Sequence, residues 1–157
     1  MYRVWVFVHL VGVAGFLVTH GVSMWALFAV RATDGDRERI LEWCETSKRT
    51  TTPMYVFLGL VLLGGVAAGI DAALFADWWL LGSLILLVGL TAMMSVVASP
   101  YMKRLREGST RWADGSFTMT DDELRATLDG PATMIIAASG SIGLLVILYL
   151  MVFKPGA

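Results

Sequence analysis

The sequence predicts an all-α membrane protein, a bundle of four helices that cross the bilayer with both termini outside. Hydrophobic residues make up 57% of the 157 residues and charged residues only 16%. The mean hydropathy of +0.69 lies outside the range of soluble domains. Four apolar runs each reach the roughly 20 residues that a helix needs to cross a hydrocarbon core, and none contains a lysine or arginine. These observations predict a polytopic membrane protein.

The basic residues predict the orientation of the four spans, which are expected at residues 4–30, 53–76, 78–100 and 132–153. Of the 12 Lys and Arg residues, five lie in the loop 31–52 and five in the loop 101–131. The hairpin between spans 2 and 3 has none. Lysine and arginine in short loops favour the cytoplasmic side of a membrane, so both long loops are expected in the cytoplasm. A chain of this length is expected to form one domain, residues 1–157.

Local signals predict where the helices begin and end. Span 1 is too long for the core of a signal peptide, and its basic cluster follows it, so it is expected to remain as a mature helix. Pro53 and Pro131 suit the first turns of spans 2 and 4, and Pro100 and Pro155 lie where spans 3 and 4 stop.

The cytoplasmic loops are expected to contain two short helices. Thr120 and Glu123 have the spacing of a capping box, and the helix that they begin should end at Gly130. A second short helix, over residues 34–49, would carry the only cysteine, Cys44, as a surface thiol. Such helices usually lie along the membrane surface or cover the end of a bundle.

Small residues predict where the spans touch each other. Gly65 and Gly69 form a GxxxG pair in span 2, and Ser139 and Gly143 have the same spacing in span 4. Because lipid offers no hydrophobic drive for helix association, such residues usually allow helices to approach closely. They predict a compact bundle or a homodimer.

The only two histidines, His9 and His20, both lie inside span 1. At about 100° per residue, the step between them leaves a residual rotation of roughly 20°, so both imidazoles and Gly12 share one face of the helix. They are separated by roughly 16 Å along the axis. Ionisable side chains within a span usually face the bundle interior and have a function. The alternative is that each histidine is a neutral hydrogen-bonding link between helices.

Imidazoles within a bundle bind haem, bind another metal or relay protons. Two histidines roughly 16 Å apart cannot share one metal ion, and the acidic residues nearest a span core, Asp71 and Asp77, lie at the outer hairpin. A chain of carboxylates for proton transfer is therefore missing from the spans. The leading hypothesis is a b-type haem for electron transfer or haem handling, bound non-covalently because the sequence has no C-x-x-C-H motif.

Depth along the helices suggests partners for the histidines. His20 on span 1 and Met93 or Met94 on span 3 fall at about the same depth, and His/Met is an accepted axial pair for haem iron. His9 lies level with Asp71, which could accept its second ring N–H or simply meet interfacial water. Each chain has two histidines, which leaves three alternatives for the iron ligands. Histidines from two copies could meet across a dimer, methionine or water could complete each site, or only one of the two sites is real.

The start of span 1, with apolar residues before His9, then two residues, Gly12 and an apolar run, resembles an uncharacterised family of bacterial four-helix proteins described only as predicted integral membrane proteins. It is more distantly similar to the copper resistance protein D family and to the haem-binding bacterial protoporphyrinogen oxidases. In those oxidases a histidine early in the first span is implicated in haem binding, and His9 matches its position. The resemblance covers mainly span 1 and implies a multi-pass protein of the bacterial inner membrane.

A rival hypothesis is a non-catalytic accessory or structural subunit of a larger membrane complex. The small size, the absence of an evident catalytic set and the glycine-rich faces suit this role. The expected partners under either hypothesis are the lipid bilayer and a second copy or a larger complex, and no nucleic acid is expected.

Overall fold

The computed structural model describes residues 1–156 and is almost entirely helical. Within that range no strand forms, and the only β-type pairing is an isolated bridge between Arg111 and Phe117. The helices are α1 (Tyr2–Arg31), α2 (Arg37–Asp71), α3 (Trp78–Met93), α4 (Ser99–Ser109), α5 (Asp121–Asp129) and α6 (Ala132–Phe153), with a 3₁₀ turn at Leu74–Ala76 and a π turn at Met94–Ala98.

Four helical segments are long and apolar enough to cross a membrane, which confirms the all-α, four-helix fold. They are residues 2–31, 37–71, 78–109 and 121–153. Large apolar side chains such as Phe7, Leu63, Ile85 and Leu145 are exposed around the outside of the bundle. Lipid chains are the solvent that such a surface requires. The chain is therefore a multi-pass membrane protein.

Two prolines lie inside continuous helices, where the sequence predicted helix ends. Pro53 is enclosed in α2, so the predicted short helix 34–49 and span 2 are a single helix. Pro100 is the second residue of α4, which continues from α3 through the π turn. Proline removes an N–H donor and crowds the carbonyl of the preceding turn, and a wider π turn just before it relieves that crowding. Pro131 and Pro155 flank α6 as predicted.

Two glycines allow the backbones of the antiparallel helices α1 and α2 to come into contact. A β-carbon on Gly12 would lie 2.6 Å from the backbone nitrogen of Val61. One on Gly64 would lie 2.5 Å from the backbone nitrogen of His9. The predicted pair Gly65 and Gly69 also faces neighbours, namely the His9 ring and the side chains of Phe75 and Leu80. Small residues therefore set the separation of these two helices.

The end of the bundle that carries residues 32–36 and 110–120, here called the basic end, has a compact core. This basic-end core consists of Val30, Ile40, Cys44, Leu105, Met119, Leu124 and Leu128. Cys44 is only 4% exposed, so the expectation of a surface thiol is wrong. Cys44 is part of α2, which begins at Arg37. Its side chain faces the core, and its Sγ is 3.7 Å from the Met102 carbonyl oxygen.

Arg37 fastens the loop 110–120 over this core. Its guanidinium donates to the carbonyl oxygens of Gly108 and Met119 at 2.6 and 2.9 Å and to the Asp121 carboxylate at 2.6 Å. The same group lies 4.1 Å from the centre of the Phe117 ring. The predicted capping box of Thr120 and Glu123 begins α5. The long loop is therefore an ordered cover for the basic end.

The helices form two pairs, α1 with α2 and α3 with α6. The pairs meet where α1 touches α6 and, at the basic end, where α2 packs against α4. Beyond the hairpin end, where Gly69 of α2 faces Leu80 of α3, these two helices make little contact along their spans. This arrangement leaves space between the pairs in the half of the bundle nearer the basic end.

Candidate functional site

A cavity of about 400 Å³ lies between the two helix pairs. All four spanning segments contribute to it: α1, α2, α3 with the π turn and α4, and α6. Its walls are mostly apolar, with Phe16, Leu58, Leu87 and Ile136 among the lining residues. Volumes of roughly 300–1,000 Å³ with mainly apolar walls and a few polar groups are typical of cofactor and ligand sites.

His20 is the only histidine that lines this cavity. Its ring stacks on Phe16, one turn earlier in α1, with ring centres 5.5 Å apart and planes inclined by 8°. Neither ring nitrogen has a hydrogen-bond partner among residues 1–156. Stacking holds the ring in place while its nitrogens stay available to a ligand, and an unpaired imidazole in an apolar site is otherwise costly.

Gly140 on α6 brings His20 and Met94 together. From the position that a β-carbon on Gly140 would take, Met94 Cε is 2.6 Å away and His20 Nε2 is 3.9 Å away. Met94 is the first residue of the π turn and lines the cavity, whereas its neighbour Met93 is not among the lining residues. Any side chain at position 140 would displace the Met94 methyl group. Of the two methionines considered from depth, Met94 is the one beside His20.

Cations surround the cavity at the basic end. Lys48, Lys103 and Arg106 are lining residues, and within the described part of the chain no Asp or Glu is. The two lysines make long, exposed pairs on their own helices, with Glu45 at 3.8 Å and Glu107 at 3.7 Å. Such pairs contribute little, so these cations can bind another anion. The cavity is therefore apolar inside and positively charged at one edge.

His9 lies elsewhere, in the contact between α1 and α2. Its Nδ1 donates to the Val61 carbonyl oxygen at 2.8 Å. Gly65, one turn after Val61, leaves the room that the ring occupies, since a β-carbon there would lie 2.9 Å from Nδ1. Gly12, whose small size allows either a flat cofactor or another helix to approach closely, lies against the backbone of α2. In this arrangement His9 links two helices.

Asp71 does not accept a hydrogen bond from the His9 ring, which was one of the two roles considered for it. Its carboxylate lies 3.4 Å from the amino nitrogen of Met1, and the partner of the His9 ring is the Val61 carbonyl. Asp71 is the exposed last residue of α2, which explains why it meets the beginning of the antiparallel α1. No group of three or more His, Cys, Asp or Glu side chains within residues 1–156 could hold a metal ion.

No pattern in the sequence signals the charged edge of the cavity or the position of Gly140. Lys48 and Lys103 come from loops that were predicted separately, and only the pairing of α2 with α4 brings them together. Gly140 lies in the run of small residues 137–143, in which the spacing of Ser139 and Gly143 was the visible pattern. Both features depend on tertiary packing.

Comparisons with protein-family models, with curated proteins and with solved structures found no match to this chain.

Proposed function

We propose that this membrane protein binds one b-type haem in the cavity between its helix pairs and serves electron transfer or haem handling. The observation that carries the proposal is the meeting of His20 Nε2 and the Met94 side chain at Gly140 inside an apolar cavity. Imidazole and thioether are an accepted axial pair for haem iron. When bound, the haem supplies a redox-active iron, and the protein supplies the ligands, the apolar surroundings and the charge at the edge.

The chemistry of the donor set fits a haem better than a bare metal ion. His20 offers one imidazole, and no carboxylate or second imidazole joins it among the lining residues. The Cys44 thiol also lines the cavity, but it belongs to the basic-end core and donates to the Met102 carbonyl oxygen. A porphyrin brings its own four equatorial nitrogens, so it needs only one or two protein ligands. Gly140 has no side chain that would crowd either ligand. The residues present therefore suit a flat, apolar cofactor.

The charged edge suits the carboxylates of such a cofactor. Haem propionates are anionic, and Arg106, Lys48 and Lys103 lie at one end of the cavity only. Guanidinium and ammonium groups pair well with carboxylates. We expect the propionates at the basic end and the macrocycle deeper in the bundle, beside His20.

The optical spectrum of the purified protein tests the proposal. Protein expressed with ample haem and purified in mild detergent is expected to show a Soret band that shifts on reduction. The haem content is expected to be one per chain, because one cavity contains one histidine, and a pyridine haemochrome assay measures it. Protein that shows no Soret absorbance, even after haemin is added, would end the haem hypothesis.

Reversing one edge charge tests the orientation of the cofactor. Arg106→Glu is expected to raise the dissociation constant for haem about tenfold, or about 1.4 kcal/mol, because it removes an attraction and adds a repulsion. Haemin titration followed at the Soret band measures the change. Arg104→Glu makes the same change in net charge at an exposed position outside the cavity and should bind haem normally. Equal weakening by both variants would mean that the edge cations make no specific contact.

The His9 geometry favours a second candidate, an accessory subunit of a larger membrane complex. Its imidazole is used as a hydrogen-bonding link between α1 and α2, as expected of a structural histidine. Co-purification with a large complex in mild detergent, together with a colourless subunit, would favour this function. We propose that the protein lies in the bacterial inner membrane with its basic end in the cytoplasm, the side that lysine and arginine in short loops favour.

A further inference from the structure

The cavity is open on only one side. Its exposed lining residues are Lys48, Thr51, Tyr55, Ser99 and Lys103, and all of them lie on α2 or α4. The lining residues from α1 and α6 are buried or half-buried. The opening is therefore a slot between α2 and the helix formed by α3, the π turn and α4. We call it the lateral slot and define it by those five exposed residues.

The basic-end core closes the cavity along the bundle axis. Cys44 belongs both to this core and to the cavity lining. Met102 lines the cavity and packs against the same core. The loop held by Arg37 covers the core from outside. A molecule coming straight from the aqueous phase would have to displace this packed layer, whereas the lateral slot is already open.

The slot extends from the charged edge into the apolar part of the bundle. Lys48 and Lys103 flank its basic end, and Tyr55 lies two turns further along α2. The Tyr55 hydroxyl is 3.5 Å from Ser95 Oγ, the one side-chain hydrogen bond that the described residues make between α2 and the π turn. One turn beyond Tyr55, a β-carbon on Gly59 would meet nothing within 4 Å. A single long hydrogen bond is a weak closure.

We propose that the cavity is loaded sideways from the bilayer leaflet at the basic end, through the lateral slot. Its ligand is then a membrane-dissolved amphiphile whose anionic end stays at Lys48 and Lys103 while its apolar body passes Tyr55 toward His20. The inference rests on the proposed haem site, since haem is such an amphiphile. It adds that the lipid, and not the aqueous phase, delivers the ligand.

Access of a lipid-dissolved thiol reagent to the cavity tests the slot without any haem. Thr91 lines the cavity and donates only to the Leu87 carbonyl of its own helix, so Thr91→Cys in a Cys44→Ser background provides a reporter thiol. The protein is reconstituted in liposomes, and the initial rates of labelling by pyrene maleimide and by a membrane-impermeant sulfonated maleimide are compared. We expect the lipid-dissolved reagent to react much faster.

Bulky residues in the slot should slow this labelling selectively. Thr51→Trp and Ser99→Trp are each expected to lower the pyrene maleimide rate by at least about fivefold, the effect of an added barrier of about 1 kcal/mol. Tyr55→Ala should raise it. Val56→Trp is the matched control, because Val56 is exposed on the same helix and does not line the cavity. Two different tryptophan variants guard against one that fails to fold.

The outcomes separate the lateral slot from the haem proposal. Unchanged pyrene maleimide rates in both slot variants, or faster labelling by the sulfonated reagent, would overturn the lateral slot even if the parent protein shows a Soret band. Slowed labelling in both slot variants, with a normal rate in Val56→Trp, supports the slot even if the parent protein stays colourless. In that case the haem identity fails, and the cavity takes another lipid-dissolved anion.

Discussion

His20→Ala is expected to abolish the Soret band of the haem-loaded protein, whereas His9→Ala should leave it in place. His20 is the only imidazole in the cavity, so its loss removes the nitrogen ligand of the iron. His9 is held by the Val61 carbonyl at 2.8 Å. Removing it should cost only about 1 kcal/mol of helix association. Absorption spectra of both variants, purified in parallel, measure the difference.

Chemical rescue distinguishes lost ligation from lost folding. His20→Gly leaves a space shaped like the missing ring next to Phe16, and added imidazole is expected to restore the Soret band there but to have no effect on His9→Gly. A Soret band that survives in His20→Ala and disappears in His9→Ala would place the haem at the contact between α1 and α2. That result would overturn the assignment of the cavity.

Gly12→Leu and Gly64→Leu are expected to cause the largest losses of stability among glycine-to-leucine substitutions in the membrane-spanning region. In both cases the new side chain would overlap backbone atoms of the facing helix, at 2.6 Å for Gly12 and 2.5 Å for Gly64. Backbone cannot rotate away as a side chain can, so α1 and α2 would have to separate. The loss should be about 3 kcal/mol or more. Thermal unfolding in detergent and the yield of monodisperse protein measure it.

Gly21→Leu is the matched control for the glycine variants. A β-carbon on Gly21 would meet nothing within 4 Å, and the residue is exposed on the same helix as Gly12. Leucine there should therefore be tolerated. Gly65→Leu should have an intermediate effect, because it displaces the His9 ring rather than backbone. Equal stability of Gly12→Leu and Gly21→Leu would contradict the close contact of α1 with α2.

The four helices could be predicted because their signals are local. Long runs without lysine or arginine and the capping box of Thr120 and Glu123 each act within a few turns. Helix ends were predicted less well, because the rules for proline consider only the adjacent turns and cannot tell when packing elsewhere carries a helix past a proline. Pro53 and Pro100 lie within helices that continue into the basic-end core. Packing of Ile40 and Leu105 in that core stabilises the extra turns.

The candidate site was predicted only in part. Counting residues placed His20 level with Met93 and Met94, and the structure brings His20 and Met94 to the same glycine. The sequence could not separate the roles of the two histidines, which share one face of α1. The difference comes from the neighbouring helices: α2 covers that face at His9, and Gly140 of α6 lies beside it at His20. Periodicity gives the direction of a side chain but not what lies opposite it.

The π turn at Met94–Ala98 sets the direction in which the side chains of α4 point relative to those of α3. A π turn holds one surplus residue, and each residue of a regular helix turns the chain by about 100°. Without the surplus residue, α4 would be rotated by that angle relative to α3. Arg106 would then leave the cavity that it shares with Met94, and Leu105, now fully buried, would leave the basic-end core. One irregular backbone turn thus aligns the charged half of this helix with its apolar half.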